Sequence, residues 1–250
     1  MSKHKTEMIF GIHAVESALR THPEQVLQLW VQAGREDRRM QTVLRLADRQ
    51  GVSIETCSRD VLQKKSADNK HQGVVAKIRI DKQSQPDLED ILARQELLLL
   101  VLDGVQDPHN LGACLRSADA CGADAVIVSK NRSPGLTPVV RNVASGAAET
   151  TPFIQVSNLA RLLQQLKHNN VWVVGTAGEA STSLYQSTAS NRMAVVMGSE
   201  GEGMRRLTRE SCDELIYIPM QGHVESLNVS VATGICLFEY RRKLAAQNAA

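Results

Sequence analysis

The segment 215–239, LIYIPMQGHVESLNVSVATGICLFE, contains residue types that could form a ligand site. It predicts a buried strand, then a polar loop that ends in Ser226, Leu227 and Asn228, and then a helix of small and apolar residues. A junction of this kind presents amide and hydroxyl side chains, together with the N–H groups of the first helical turn, to a ligand. We therefore expect a polar binding site at this loop.

A second segment, residues 198–204, is a glycine-rich loop with the sequence GSEGEGM. Its G-x-x-G-x-G order differs from the dinucleotide-binding order G-x-G-x-x-G, and the sequence contains no G-x-x-x-x-G-K-[ST] phosphate loop. Glu200 and Glu202 would repel a pyrophosphate, each by about 1 kcal/mol or more. The loop therefore favours a cationic ligand over a phosphate.

A third segment, residues 103–122, has the sequence DGVQDPHNLGACLRSADACG. Asn110 is a plausible N-cap for a helix that begins at Leu111. Arg116 lies on that helix among alanine and cysteine side chains, which are too small to bury its stem. We expect this guanidinium to reach a phosphate group or a partner chain.

Composition limits the possible classes of protein. The 250 residues, 42% of them apolar, suffice for one large or two modest domains. The five cysteines are not spaced as zinc ligands, which predicts buried thiols in a reducing compartment and no metal site. The longest apolar run, 97–102, is too short to span a bilayer, and the N-terminus lacks an apolar leader. These features predict a soluble cytoplasmic protein.

The charges are distributed unevenly. Residues 1–80 hold 14 Lys and Arg against 9 Asp and Glu, residues 81–96 hold 2 against 5, and residues 97–250 hold 13 against 13. The positive excess in the first third indicates either an ordinary solvated surface or a surface that contacts nucleic-acid phosphates. The acidic stretch 81–96 predicts a linker with a short helix.

Hydrophobic patterns predict two α/β regions. In the first 80 residues they indicate strands at 26–31, 52–56 and 74–80 and helices at 12–20 and 38–49. Farther on, uninterrupted apolar runs with helical stretches between them predict a parallel sheet that is buried on both faces. These runs are 97–103, 125–128, 171–175, 193–198 and 215–219. The loops of the three segments described above each lie just after a predicted strand, which is where ligands of parallel sheets bind.

The C-terminal helix, predicted over 229–243, carries apolar residues on more than one face. One face can pack on the sheet, and the remaining apolar residues call for a partner. We therefore expect the chain to form a homodimer.

Taken in this order, the three segments closely resemble those of the SpoU/TrmH branch of the SPOUT RNA methyltransferases, which transfer a methyl group from S-adenosylmethionine to a ribose 2′-hydroxyl. The motifs GIHAVESAL and HQGVVAKI resemble the family's substrate-binding domain, whose fold is like that of a small ribosomal protein. The resemblance implies an RNA substrate-binding domain at 1–80, a linker at 81–96 and a SPOUT methyltransferase domain at 97–250. The latter would have a mostly parallel sheet and a C-terminal trefoil knot, a rare exception to the unknotted rule.

The resemblance also implies roles for individual residues. The catalytic set comprises Asn110, Arg116, Glu200, Ser226 and Asn228. The cofactor-binding set comprises Gly175, Thr176, Gly198, Ile218, Met220 and Leu227, with S-adenosylmethionine as the cofactor and no metal ion. Because a guanidinium is too weak an acid to serve as the base for the 2′-hydroxyl, we expect Arg116 to clamp a phosphate and stabilise the developing alkoxide. The family's dimers place the active sites at the interface.

Within the family, the N-terminal motif and the block 146–163 most resemble bacterial enzymes that methylate a guanosine in the peptidyl-transferase P loop of 23S rRNA. The expected substrate is then 23S rRNA or a precursor of the large ribosomal subunit. One alternative is a tRNA 2′-O-methyltransferase of the same family. Another is a non-catalytic RNA-binding assembly factor that keeps the fold.

Overall fold

A computed structural model describes residues 5–35, 37–66, 71–80 and 86–248. The strands in chain order are β1 (Lys5–Phe10), β2 (Val26–Gln32), β3 (Ile54–Cys57), β4 (Val74–Ile80), β5 (Leu97–Asp103), β6 (Ala125–Ser129), β7 (Phe153–Val156), β8 (Trp172–Thr176), β9 (Thr182–Ser183), β10 (Arg192–Gly198) and β11 (Glu214–Tyr217). The α-helices are α1 (Ile12–Thr21), α2 (Arg38–Arg49), α3 (Arg59–Ser66), α4 (Leu88–Leu92), α5 (Pro108–Cys121), α6 (Pro138–Ala144), α7 (Ala147–Thr150), α8 (Leu159–His168), α9 (Arg206–Glu210) and α10 (Val229–Asn248).

Contacts divide the described residues into two compact units. The first unit comprises the residues before position 86 together with residues 136–150, which we call the inserted segment. The second unit comprises residues 86–135 and the residues after position 150. The first unit is therefore discontinuous in sequence.

The first unit contains a four-stranded sheet in the order β1-β4-β2-β3. Strand β4 pairs antiparallel with β1 and β2, whereas β2 pairs parallel with β3. Helices α1 and α2 cover one face with fully buried side chains such as Val15, Leu19 and Val43. The patterns predicted α2 and β4 with the bounds that the structure shows, but they missed β1 and α3.

A buried arginine holds the inserted segment in the first unit. Arg141, on α6, is 7% exposed and pairs with Glu149 of α7 at 2.5 Å and with Glu7 of β1 at 3.5 Å. Two carboxylates thus compensate one guanidinium where little water can reach it, which makes the pairing geometry important for stability. The apolar residues Val140 and Ala144 of α6 are also buried.

The second unit contains a seven-stranded sheet in the order β7-β6-β5-β10-β8-β11-β9. All of these strands pair in parallel, and every residue of β5 is buried. The predicted α/β architecture with a mostly parallel sheet is confirmed, while the trefoil knot stays a prediction. The sheet order places β5, β10, β8 and β11 side by side, so their carboxyl ends share one edge.

The start of α5 differs from the prediction, which placed the N-cap at Asn110 and the first helical residue at Leu111. Asp107 is the N-cap, its carboxylate accepts a hydrogen bond of 3.0 Å from the backbone N–H of His109, and Pro108 follows at the first helical position. Asp before Pro is a strong start signal because Pro needs no N–H partner. Asn110 therefore lies in the first turn, where its side chain can make contacts other than capping.

The cysteines are free thiols, and burial makes most of them poor nucleophiles. Burial raises the pKa of Cys114 to about 11 and that of Cys236 to about 12, so both stay protonated at neutral pH. Among the described residues there is no group of His, Cys, Asp and Glu side chains that could hold a metal ion. Likewise, none of the helices that the structure describes has the length and apolar character needed to cross a bilayer.

Candidate active site

Three sequence segments that are distant along the chain meet at the carboxyl edge of the parallel sheet. In the paired strands β10 and β5, Gly198 is directly opposite Asp103, and both residues end their strands. The loop 199–205 and the loop that leads into α5 therefore leave the sheet next to each other. This is the edge at which parallel α/β sheets bind their ligands.

A carboxylate joins two amides across this edge. Oε1 of Glu200 accepts hydrogen bonds from Nδ2 of Asn110 at 3.2 Å, from Nδ2 of Asn228 at 2.5 Å and from the backbone N–H of Val229 at 3.3 Å. Nδ2 of Asn228 also donates to Oδ1 of Asn110 at 2.9 Å. We call Asn110, Glu200 and Asn228 the carboxylate–amide cluster. Three of the predicted catalytic residues thus contact one another, although the first and last are 118 positions apart.

The start of α10 fixes the orientation of Asn228. Its Oδ1 accepts from the backbone N–H of Ser230 at 2.9 Å and from the Ser230 hydroxyl at 2.5 Å. Since the amide oxygen accepts hydrogen bonds from the first turn of the helix, the NH2 group of the same amide donates to Glu200 and Asn110. The carboxylate also accepts from the backbone N–H of Val229, a donor of the first turn of α10 that has no partner within the helix.

The glycines of the 198–204 loop give it the shape that carries Glu200. Ser199 and Gly203 exchange backbone hydrogen bonds of 3.1 and 3.0 Å, which closes a tight turn around Glu200. Gly201 and Gly203 have φ values of 83° and 68°, in the left-handed region that favours glycine. A Cβ on Gly198 would lie 2.2 Å from the carbonyl carbon of Gly203, so the close return of the loop requires glycine there.

An ion pair between a buried aspartate and an exposed arginine, which the sequence did not reveal, anchors the end of this loop. The side chain of Asp103 is 0% exposed, and it accepts from the backbone N–H of Arg205 at 3.0 Å and from Nε at 2.7 Å. A second guanidinium nitrogen lies 2.7 Å from the same carboxylate. Such two-point contacts fix geometry as well as charge. An acidic residue at the end of a buried apolar strand was the available signal, but its partner is 102 positions away.

We expect Asp103→Asn to lower the free energy of unfolding by about 1–3 kcal/mol, because one buried acceptor becomes a donor that faces Arg205. Urea denaturation of the full chain measures this effect. The matched control is Glu210→Gln, which weakens an exposed pair with Arg206 and should change stability by less than about 0.5 kcal/mol. Equal stability losses in both variants would contradict an anchoring role for Asp103.

A cavity of about 460 Å³ lies beside the carboxylate–amide cluster, a size that suits a small ligand or one nucleotide. Its lining includes Asn110 and Glu200 of the cluster together with Asp107, Arg132 and Glu202. The mixture of amides, carboxylates and a guanidinium indicates a polar ligand that is held by hydrogen bonds.

The sheet order explains the positions of four of the predicted cofactor-binding residues. Thr176 ends β8 and donates from Oγ1 to the carbonyl of Val196 at 3.3 Å, and Gly198 ends the neighbouring strand β10. The half-buried Ile218 and Met220 follow β11, which pairs with the other side of β8. Strand pairing therefore brings these backbone segments to one edge of the sheet.

Gly175 and Leu227 have different surroundings. Gly175 lies inside β8 and is buried, and a Cβ there would be 2.6 Å from Cε of Met204 and 2.7 Å from Sγ of Cys212. Close packing therefore requires a glycine at this position, and its role in cofactor binding stays a prediction. Leu227 is half-buried in the loop before α10.

Two of the predicted catalytic residues stand apart from the cluster. Ser226 is exposed, and in the described part of the chain no hydrogen bond joins it to the cluster. Arg116 is exposed on α5, six residues after Asn110. On an α-helix that separation is about 9 Å of rise and about 240° of rotation. Arg116 therefore projects from a different side of α5 than Asn110 does.

Comparison with known proteins agrees with this arrangement. The model of the SpoU rRNA Methylase family matches residues 97–238, and a model described as RNA 2′-O ribose methyltransferase substrate binding matches residues 8–84. The 23S rRNA (guanosine-2′-O-)-methyltransferase RlmB of Haemophilus influenzae is 56% identical over 241 residues, covering 95% of this chain and 98% of that protein.

Solved structures give the same result. The crystal structure of an RNA 2′-O ribose methyltransferase is similar with a TM-score of 0.83 and 28% identity, covering 97% of this chain and 90% of that one. An AdoMet-bound rRNA methyltransferase from Sinorhizobium meliloti has a TM-score of 0.78 and 25% identity, covering 96% and 88% of the two chains. The parallel sheet, the loops at its edge and the match over most of the sequence together show that this chain belongs to the SpoU rRNA methylase family.

Proposed function

We propose that this chain transfers a methyl group from S-adenosylmethionine to the ribose 2′-hydroxyl of a guanosine in 23S rRNA. The observation that carries the proposal is the carboxylate–amide cluster, which joins the three family segments beside a nucleotide-sized cavity. The high identity to a protein with this printed activity, over almost the full length of both chains, supports the choice of substrate.

The residues at the sheet edge suit S-adenosylmethionine. Bound there, the cofactor supplies an electrophilic methyl group on a sulfonium. The half-buried apolar side chains Ile218, Met220 and Leu227 offer an apolar surface for the adenine, and the backbone of Thr176 and Gly198 offers polar groups at the same edge. The acidic loop around Glu200 favours a cationic ligand.

The protein's own task is to align the ribose. Methyl transfer is an in-line displacement, so holding the reacting oxygen in line at about 3 Å provides most of the acceleration. In the proposed mechanism the amides of Asn110 and Asn228, fixed by Glu200, position the nucleotide. Arg116 clamps the adjacent phosphate and stabilises the charge that develops on the 2′-oxygen, whose proton leaves through the phosphate or water. Ser226, exposed in the loop before α10, contacts the bound ligands.

We propose a homodimer in which Arg116 serves the active site of the other subunit. On α10, Val231 and Phe238 are each 50% exposed, and with the half-buried Ile235 they follow the i, i+4, i+7 spacing of one helix face. This apolar stripe favours burial against a second copy. Helix α5 packs against α10, so its exposed Arg116 lies on an element next to the proposed interface.

The proposal assigns separate roles along the chain: residues 1–80 bind RNA, residues 81–96 are a linker, and residues 97–250 carry out the transfer. The first unit carries the positive excess that phosphate contacts need. In that assignment the inserted segment supplements the RNA-binding module. The trefoil knot belongs to the same proposal, as does a cytoplasmic location, where an rRNA substrate is found.

Mapping of 2′-O-methylation in a strain that lacks this gene tests the proposed substrate. We expect one 23S rRNA guanosine in the peptidyl-transferase P loop to lose its methyl group, and the wild-type gene to restore it. A gene that encodes the Glu200→Ala variant is the control and should not restore it. Loss of a tRNA methyl group instead would establish the tRNA alternative, and complete methylation in the deletion strain would favour a non-catalytic assembly factor.

A further inference from the structure

The first unit contains a second cavity, of about 530 Å³, and every described lining residue other than Gly73 has a polar side chain. The side chains are two guanidiniums, three amides and one imidazole, and the remaining lining residue is a glycine. They are Gln32, Arg35, Arg59, His71, Gln72 and Asn142, with Gly73. Since the described lining residues include no carboxylate, the cavity favours a ligand that is anionic and rich in hydrogen-bond acceptors.

The turn before β4 holds one of the guanidiniums in place. Arg35 donates from Nη1 to the carbonyl of Gln72 and from Nε to Oδ2 of Asp37 at 2.5 Å. Gly73 has a φ of 70°, and a Cβ there would lie 2.8 Å from Nη1 of Arg35, so glycine makes room for the guanidinium. A side chain fixed in this way loses little conformational entropy when it binds a ligand.

The polar groups around this turn also have defined donor and acceptor roles. Nδ1 of His71 accepts from the backbone N–H of Gly73 at 3.1 Å, so the neutral imidazole carries its proton on Nε2. Oε1 of Gln72 accepts from the backbone N–H of Ile12 at 3.0 Å, which leaves the NH2 of this amide as a donor. The walls of the cavity are thus rich in donors.

Arg59 supplies positive charge that no carboxylate of the described residues pairs with. It is exposed at the start of α3, and no ion pair involves it in the described ranges of the chain. Arg35, by contrast, shares its charge with Asp37, and its hydrogen bond lowers the pKa of that carboxyl. Arg59 is therefore the lining residue whose charge is most available to an anion.

The inserted segment contributes Asn142 to the same cavity. Its position follows from the buried Arg141, the preceding residue, which pairs with Glu7 and Glu149. Oδ1 of Asn142 lies only 3.2 Å from the position that a Cβ on Gly11 would take, so this part of the wall is closely packed. Side-chain amides of this kind recognise base edges by paired donor and acceptor contacts.

We propose that this cavity holds one unpaired nucleotide of the rRNA, with its phosphate on Arg59 and Arg35 and its base edge on the amides of Gln32 and Asn142. Charge and hydrogen bonding, rather than aromatic stacking, provide the affinity, since the imidazole is the one aromatic ring among the lining residues that the structure describes. This inference rests on the proposed function, because it takes 23S rRNA as the substrate. It adds a nucleotide site in the first unit, separate from the site of methyl transfer.

Binding of transcribed 23S rRNA to full-length Arg59→Gln, measured by filter retention at 0.1 M salt, tests the proposal. We expect the Kd to rise about tenfold, because a charged phosphate contact is lost. The matched control is Lys64→Gln, which removes the same charge from an exposed position on α3 outside the cavity and should change the Kd less than about twofold. Arg59→Lys, which keeps the charge but not the two-point geometry, should fall between them.

Three outcomes are informative. Equal Kd values for Arg59→Gln and Lys64→Gln would overturn the cavity site. The proposed function would remain intact in that case, provided that the wild-type protein methylates 23S rRNA. Absence of rRNA methylation by the wild-type protein would instead overturn the proposed function. Guanosine monophosphate tests whether the cavity instead binds a free nucleotide. The assignment to rRNA is wrong if this nucleotide raises the Tm of the wild type but not of Arg59→Gln while both proteins bind rRNA with the same affinity.

Discussion

Mixing Arg116→Ala subunits with Asn228→Ala subunits is expected to restore methylation that neither variant supports alone. If Arg116 completes the site of the other subunit, each mixed dimer has one site with both residues intact and one with neither. Random exchange makes half of the dimers mixed, so an equimolar mixture should reach about a quarter of the wild-type activity. Methyl incorporation into 23S rRNA after co-refolding or co-expression measures it.

The reverse mixture is the control for shared sites. Wild-type subunits mixed with the double variant Arg116→Ala/Asn228→Ala should show about a quarter of the wild-type activity per total subunit if sites are shared, and about half if each chain is self-sufficient. Because Asn228 also caps α10, its loss costs about 1 kcal/mol of stability. Asn110→Ala is an alternative partner that leaves this cap in place. No recovery of activity when Arg116→Ala is mixed with Asn228→Ala or with Asn110→Ala, or a monomer by light scattering, would contradict the shared site.

Glu200→Ala is expected to lower kcat by at least about 10²-fold, because preorganised polar groups in an active site contribute on this scale. The carboxylate accepts from both cluster amides and from the N–H of Val229, so its removal releases Asn110 and Asn228 together. Single-turnover methylation of 23S rRNA at saturating cofactor measures the chemical step without product release.

Two further variants separate positioning from charge. Glu200→Gln keeps an acceptor oxygen and should retain more activity than Glu200→Ala, with a loss of about tenfold. Glu225→Ala removes an exposed carboxylate from the loop before α10 and should change kcat by less than about twofold. Calorimetry in chelator should show that all three variants still bind S-adenosylmethionine. A Glu200→Ala enzyme with wild-type kcat would refute the role of the cluster.

Local patterns were sufficient for the core of the fold. The run Leu97–Asp103 is apolar up to its final residue because both faces of this strand are buried, and the prediction had the correct bounds. Edge elements gave weaker signals. Strand β1 begins with Lys5 and Thr6, and α3 buries only Leu62 and Ser66, so neither shows a complete apolar pattern.

Long-range contacts account for what the sequence could not predict. Motif resemblance identified Asn110, Glu200 and Asn228, and strand order then brought them together. The ion pair of Asp103 with Arg205 depends on the register of β5 and β10, which no local pattern determines. The association of the inserted segment with the first unit depends likewise on the pairing of Arg141 with Glu7, which is distant along the chain.

The discontinuity of the first unit limits how the protein can be built and rearranged. A ribosome must synthesise the chain through Thr150 before Arg141 and Glu149 can meet Glu7, so the N-terminal sheet emerges long before its last helices. To exchange RNA specificity between relatives, a protein engineer would have to transfer residues 136–150 together with the N-terminal part of the first unit. This requires two additional junctions in the C-terminal part of the chain, one before and one after residues 136–150. A single junction in the 81–96 stretch would produce a chimera in which the buried Arg141 keeps Glu149 but faces a foreign residue in place of Glu7.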